Sequence, residues 1–205
     1  MCVIDTVVLL YFMLTGQERL LLQLLGNPLR VPLVVYDPEE ERLPMPALQR
    51  AELLSEMRQA IRHYEIRARA SSADRARFER LRTIDDLHRE GLLETVSLEG
   101  DELQLAANLQ SREAVARFTV RAPLGAGEAS CVAIAFRRGW TIATDDNDAL
   151  TVLSELHGGG NFAYNRIRSL LTRAGNEGFV TCEEANRIHE EMRSEGFWDV
   201  GKPFE

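Results

Sequence analysis

Apolar positions along this chain change their period repeatedly, and the changes divide it into short strands alternating with helices. The run Cys2-Val-Ile ends at Asp5, and Thr6 to Leu14 continues apolar without a break. That pattern predicts a buried strand that turns into a helix at Asp5 or Thr6, with Thr6 able to cap it. Gln17 to Leu25 is a leucine-rich helical piece closed by Gly26-Asn27-Pro28, and Arg30 to Tyr36 follows as a short β-rich or extended stretch. From Pro46 to about Gly91, Leu53, Leu54, Met57, Ile61 and Tyr64 fall at helical spacing until a break near Ser71-Ser72. A helical hairpin is predicted there, its second arm starting at Ser72 or Asp74.

Beyond it, Leu92 to Leu98 alternates like a strand and Asp101 to Gln110 resumes a helical pattern. Gly125 to Gly139 reads as a helix that opens on the lone carboxylate Glu128. Trp140 to Thr144 then forms a short buried strand that runs directly into Asp145, Asp146 and Asp148. Helices are predicted over Ala149 to Leu156, Arg166 to Ala174 and Thr181 to Glu195, the last begun by a Thr181-to-Glu184 capping box. His157-Gly-Gly-Gly160 follows no strand and lacks the lysine of a phosphate-binding loop, so it reads as a mobile connection. Strands alternating with helices predict an α/β fold with a mainly parallel sheet.

At 205 residues and 45% hydrophobic content, one sizeable core with an elaboration is expected. The run from Val3 to Leu14 is too short to span a bilayer, is interrupted by Asp5 and lacks a basic leader, so a cytoplasmic protein without a membrane segment is expected. Cys2, Cys131 and Cys182 are unclustered and fit reduced thiols better than a disulfide framework or a zinc site. A net charge of -8 excludes non-specific coating of nucleic acid but leaves room for a local basic groove. The hairpin's arginines and acids nearly balance, which reads as a solvated surface of i,i+4 pairs before a dedicated RNA clamp.

In a parallel sheet the chemistry gathers beyond the carboxyl ends of the strands. Asp5 ends the first strand, Asp145 or Asp146 ends the strand after Trp140, and Glu128 opens the intervening helix, whose dipole stabilises an anion there. Taken singly, each has a structural reading. Asp5 and Glu128 could serve helix termini, and Asp145, Asp146 and Asp148 a turn and cap. Taken together, hard oxygen donors without nearby His or Cys point to Mg²⁺ or Mn²⁺ rather than zinc.

Ile4-Asp5-Thr6, Gly127-Glu128-Ala-Ser-Cys-Val-Ala-Ile-Ala and Thr144-Asp145-Asp146 together resemble a PIN-domain protein, in the branch of stand-alone prokaryotic proteins with a "GEAEAIALA"-type helix and a "TDD"-type turn. The segments Leu170 to Gly175, Gly178 to Thr181 and Glu184 to Phe197 also resemble that branch, and the likeness covers residues 1–40 and 92–200. It implies a three-layer α/β/α fold over residues 1–205 with an inserted helical hairpin over 46–91. The implied activity is a Mg²⁺- or Mn²⁺-dependent endoribonuclease, often the toxin of a toxin-antitoxin pair, with an antitoxin protein and a further copy of the chain as partners. On that pattern Asp5, Glu128 and Asp146 hold the metal, Asp145 or Asp148 is the remaining acid, and Thr144 orients a carboxylate or water. The family often carries a further acid on the helix after the second strand, where Asp37, Glu39 and Glu40 compete around Pro38. RNA would arrive past Arg137, Arg138 or the hairpin's arginines. The rival expectation is a non-catalytic PIN-like module that binds RNA or protein. A phosphatase using Asp5 as nucleophile is disfavoured because no second aspartate stands two residues on.

Overall fold

The computed structural model describes residues 1–42 and 54–205, so the first residues of the predicted hairpin, 46–53, lie outside the described residues. Five parallel strands form one sheet in the order β3-β2-β1-β4-β5. They are β1 (Cys2–Ile4), β2 (Leu29–Pro32), β3 (Leu93–Val96), β4 (Thr141–Ala143) and β5 (Tyr164–Asn165).

Ten α-helices are found among the described residues. The first four are α1 (Thr6–Leu14), α2 (Glu18–Leu25), α3 (Glu56–Arg67) and α4 (Ser72–Arg89). Next come α5 (Gly100–Leu109), α6 (Arg112–Phe118) and α7 (Ala126–Arg138). The chain then adds α8 (Asn147–Leu156), α9 (Ile167–Asn176) and α10 (Cys182–Ser194). None of these helices is long and apolar enough to cross a membrane.

Alternation along the short strands feeds two cores, one on each side of the sheet, which makes the fold a three-layer α/β/α sandwich. Ile4, Val31, Leu93 and Ala143 face a core built with α1–α4, α9 and α10. Val3, Val96 and Ile142 face a second core built with α5–α8. The apolar α1 is enclosed because α2, α3, α4 and α10 all pack on it. The α3–α4 pair is therefore part of the main core: Met57, Leu81 and Ile84 are fully buried there. Each such side chain contributes roughly 1.5–3 kcal/mol. On the opposite face the small residues Ala129, Ala133 and Ala135 let α7 lie close over β1, β2 and β4. That helix ends where Gly139 takes a left-handed φ of 65°.

Three features depart from the pattern along the chain. The extended stretch predicted over Arg30 to Tyr36 ends its strand at Pro32, and residues 33–35 turn instead, because the carbonyls of Val34 and Val35 accept the first N–H groups of α3 (2.9 Å each). A short helix, α6, stands between α5 and α7, begun by Ser111, whose hydroxyl accepts the Ala114 N–H at 3.3 Å. After the glycine run the chain forms the edge strand β5.

Strand order reverses at β1, whose two neighbours are β2 and β4, so the switch point of the sheet lies between β1 and β4. Register then fixes which residues meet at its carboxyl edge. Ile4 pairs with Ala143 and Ala143 with Asn165, so the next residues, Asp5, Thr144 and Arg166, stand in one row.

Candidate functional site

Asp5 forms the floor of this edge, with 1% of its surface exposed. Its Oδ1 accepts the Thr6 N–H at 2.7 Å, making Asp5 itself the cap of α1, and its Oδ2 accepts the Thr144 hydroxyl at 2.9 Å. Thr144 in turn accepts the Asp146 N–H at 3.1 Å. One threonine thus ties the floor carboxylate to the turn after β4.

Glu128 arrives from the first turn of α7 and accepts the Gly125 N–H at 2.9 Å. Asp146 caps α8 by accepting the Ala149 N–H at 2.6 Å. The fourth acid is Glu56, the first residue of α3. Its Oε1 accepts the Gly127 N–H at 3.0 Å, and its Oε2 accepts the Thr6 hydroxyl. Gly127 is required for that approach: a Cβ there would run into the Glu56 carboxylate.

These four acids share one placement rule. Each stands at the N-terminus of a helix that starts beyond the carboxyl edge of the sheet, where the helix dipole favours negative charge by roughly 0.3–1 kcal/mol. The favour does not remove their mutual repulsion. Burial, then the charges of Glu128 and Glu56, push the Asp5 carboxyl up from 3.8 to about 7, against the hydrogen bonds from Thr144 and Thr6. Burial also raises Glu128, with Asp146, Glu56 and Asp148 adding to the rise and the Gly125 N–H opposing it.

The other predicted acids have hydrogen-bond partners of their own. The Asp145 side chain is 3% exposed and turns away from this group, its Oδ2 accepting the Ile167 N–H at the start of α9 at 2.9 Å. Burial raises it to about 6, and the charges it feels are those of Arg166, Asp199 and Arg168. Asp148 stands at the margin, its Oδ2 accepting the Arg121 N–H at 3.1 Å.

Asp37 closes a local turn on the Glu39 N–H at 2.9 Å. Glu40 accepts both the N–H (3.0 Å) and the hydroxyl (2.7 Å) of Ser55, so it braces the residue just before Glu56. Glu39 lies in the same 3-10 turn, Pro38–Arg42. Arg138 closes the opposite end of α7, paired with Glu102 at 2.6 Å, and Arg137 stands beside it. Both are roughly 14 Å from Glu128 along the helix at 1.5 Å per residue.

Glu56 escaped the sequence reading because its twenty-residue separation from Tyr36 placed it among the hairpin's many charges. The signal that finds it is the placement rule: it follows Ser55 at the head of an amphipathic helix, as Asp5, Glu128 and Asp146 head theirs.

The donor set is all carboxylate with a threonine hydroxyl beside it, the hard-oxygen chemistry that suits Mg²⁺ or Mn²⁺. Among the described residues no three His, Cys, Asp or Glu side chains form a ready-made metal-holding group. Glu56 and Glu128 instead hold backbone N–H groups of the α7 entry, and Asp146 one in α8. No family model, no curated protein and no solved structure matches this chain.

Proposed function

We propose that this chain is a metal-dependent ribonuclease of the PIN type that hydrolyses phosphodiester bonds at the carboxyl edge between β1 and β4. One observation carries the reading: Asp5, Glu56, Glu128 and Asp146 come from four separate helix starts to the switch point of a parallel sheet, close enough that the charges of the others add to the rise that burial imposes on Asp5 and Glu128. Proteins seldom keep such repulsion at a partly buried site without a use for it. Asp5, Glu56, Glu128 and Asp146 are the residues that would hold a hard divalent cation. When bound, such an ion activates water and neutralises charge on a phosphate.

The chain's own groups have distinct parts in this reading. Asp5 is the fixed floor, since both of its oxygens are held, by Thr6 and Thr144. Thr144 is a positioning residue, linking Asp5 to the Asp146 backbone. Glu56, Glu128 and Asp146 are partly exposed and face the solvent side from which a substrate arrives. Purified protein is expected to cleave labelled single-stranded RNA with Mn²⁺, to stop in EDTA, and to lose cleavage in Asp5→Asn. Cleavage that persists in EDTA, or that is equal in Asp5→Asn, would overturn the reading.

A further inference from the structure

The chain carries a net charge of -8, yet one cavity is lined by cations and by no Asp or Glu. It is a hollow of about 500 Å³ between α9 and the C-terminal segment, where Arg166, Arg168, Arg173 and Lys202 converge with Ser169 and Tyr164. Lys202 is the chain's sole lysine. The Arg166 fork hydrogen-bonds neutral oxygens, Asn147 Oδ1 at 2.6 Å and the Asp145 carbonyl at 3.4 Å, while the Asp145 carboxyl, held by the Ile167 N–H, feels its charge without a hydrogen bond to it. Arg168 is countered by Asp199 at 3.4 Å, and Arg173 only distantly by Glu177 at 3.9 Å. Tyr164 stands at the rim with 51% of its surface exposed.

The wall that carries Lys202 is fixed in place. The Asn186 amide holds the Phe204 backbone through two 3.0 Å hydrogen bonds, and the Thr172 hydroxyl donates to the Pro203 carbonyl at 3.1 Å. A side chain at Gly201 would collide with the Arg168 guanidinium, so glycine lets the segment cross over it. The hollow also adjoins the acidic edge, because Arg166 follows β5 in the same row as Asp5 and Thr144.

We propose that this hollow is a phosphate-binding site that holds the backbone of single-stranded RNA beside the acidic crevice, with Tyr164 stacking a base. The occupant, though not the cationic hollow itself, rests on the nuclease reading. Arginine forks and an ammonium are suited to phosphate oxygens, and an exposed aromatic ring beside them suits an unpaired base. The same row of residues would then hold the strand by its phosphate and present the next bond to the acids.

The test is fluorescence anisotropy of a short labelled single-stranded RNA with the full chain in EDTA, so that binding is read without cleavage. Lys202→Gln is expected to weaken binding about threefold or more and to reduce the salt slope of log K by about 0.7, the share of one phosphate contact. Arg168→Gln should act in the same direction, and Tyr164→Ala is expected to cost about fivefold. Arg137→Glu, at the far end of α7, should stay within about twofold of wild type. Thermal unfolding of each variant separates a lost contact from a lost fold.

Wild-type affinity and slope in Lys202→Gln, Arg168→Gln and Tyr164→Ala would overturn the inference. So would an oligoglutamate peptide that binds more tightly than RNA through the same residues. Pocket-dependent binding by a protein that cleaves nothing with Mn²⁺ would sustain the site and sink the nuclease reading. Mn²⁺-dependent cleavage lost in Asp5→Asn, with binding and cleavage unchanged in all three pocket variants, would do the reverse.

Discussion

The turn after β4 and the first turn of α3 bring acids to the crevice in opposite ways. The turn crowds Asp145, Asp146 and Asp148 into four positions, but their hydrogen bonds send them apart: Asp145 to the start of α9, Asp148 to Arg121, and only Asp146 to the Thr144 that also holds Asp5. Glu56 comes alone, fifty positions from Thr6 and seventy-one from Gly127, and contacts both. The contrast teaches that a carboxylate's place is set by the N–H groups left open at helix starts. Where the next helix offers its first N–H to the strand end, as α9 does to Asp145, the acid is absorbed into the fold. Where a helix start faces the switch point, the acid stays at the crevice.

Exchanging carboxylate for amide at the two adjacent positions is the sharpest way to break that comparison. Asn caps a helix about as well as Asp, so Asp146→Asn leaves α8 intact and removes only the charge. Its RNA cleavage with Mn²⁺ is expected to fall by roughly 100-fold or more, the scale of losing one positioned polar group at a reacting centre. Asp145→Asn keeps an oxygen for the Ile167 N–H and should hold cleavage within about threefold. Equal losses at both positions, measured as initial rates at saturating Mn²⁺, would mean that the turn acts as one unit and the distinction is false.

Much of this arrangement could be read along the chain, and the part that could not has a physical cause. The order of strands and helices, the end of β1 at Asp5, the start of α7 near Glu128 and the cap at Thr181 follow from local period and capping chemistry, which neighbouring residues fix. The positions of Thr144 just after β4 and of Asp146 at the start of α8 were legible for the same reason. The role of Asp145 was not, because it depends on the register of β5, a two-residue strand too short to carry a periodic signal. Glu56 was hidden because its position is set by Val34, Val35 and Glu40, all fifteen or more positions away along the chain, and no local pattern records that. The basic hollow was invisible for a related reason: its arginines lie on α9 or just before it among ordinary surface positions, and Lys202 joins them only through the docking of the C-terminal segment.

If the crevice acids repel one another, removing the most buried charge should stabilise the metal-free protein. Asp5 has a folded pKa of about 7 against an ordinary 3.8, so the folded state binds its proton more tightly than the unfolded state does. Stability from this group is therefore full below about pH 4 and is lost as pH rises through 7. At 1.36 kcal/mol per unit the loss has an upper bound of about 4 kcal/mol, and less carboxamide–threonine mismatch leaves roughly 2 kcal/mol as the expected gain for Asp5→Asn. In EDTA its Tm should exceed that of wild type by about 4–8 °C at pH 8, and by clearly less at pH 5. A gain that is absent, or larger at pH 5, would show that the cluster is not strained by its charge.

The smallest effect isolates the distant member of the comparison. Gly127 lies inside α7, where alanine would ordinarily add about 0.5–1 kcal/mol to a helix. Here a Cβ meets the Glu56 carboxylate, so Gly127→Ala must displace it and forfeit its bonds to the Gly127 N–H and the Thr6 hydroxyl. A hydrogen bond to a charged group contributes about 1.5–3 kcal/mol, discounted here because Glu56 is partly exposed, so gain and loss should nearly cancel in the wild-type background. In a Glu56→Ala background nothing is displaced, and the full helical gain should appear as a Tm rise of about 1–4 °C. The difference between backgrounds is a coupling energy of about 1 kcal/mol, which a double-mutant cycle by thermal unfolding can resolve. The same change in stability with and without Glu56 would mean that the α3 acid does not reach the α7 entry, leaving the crevice with three carboxylates.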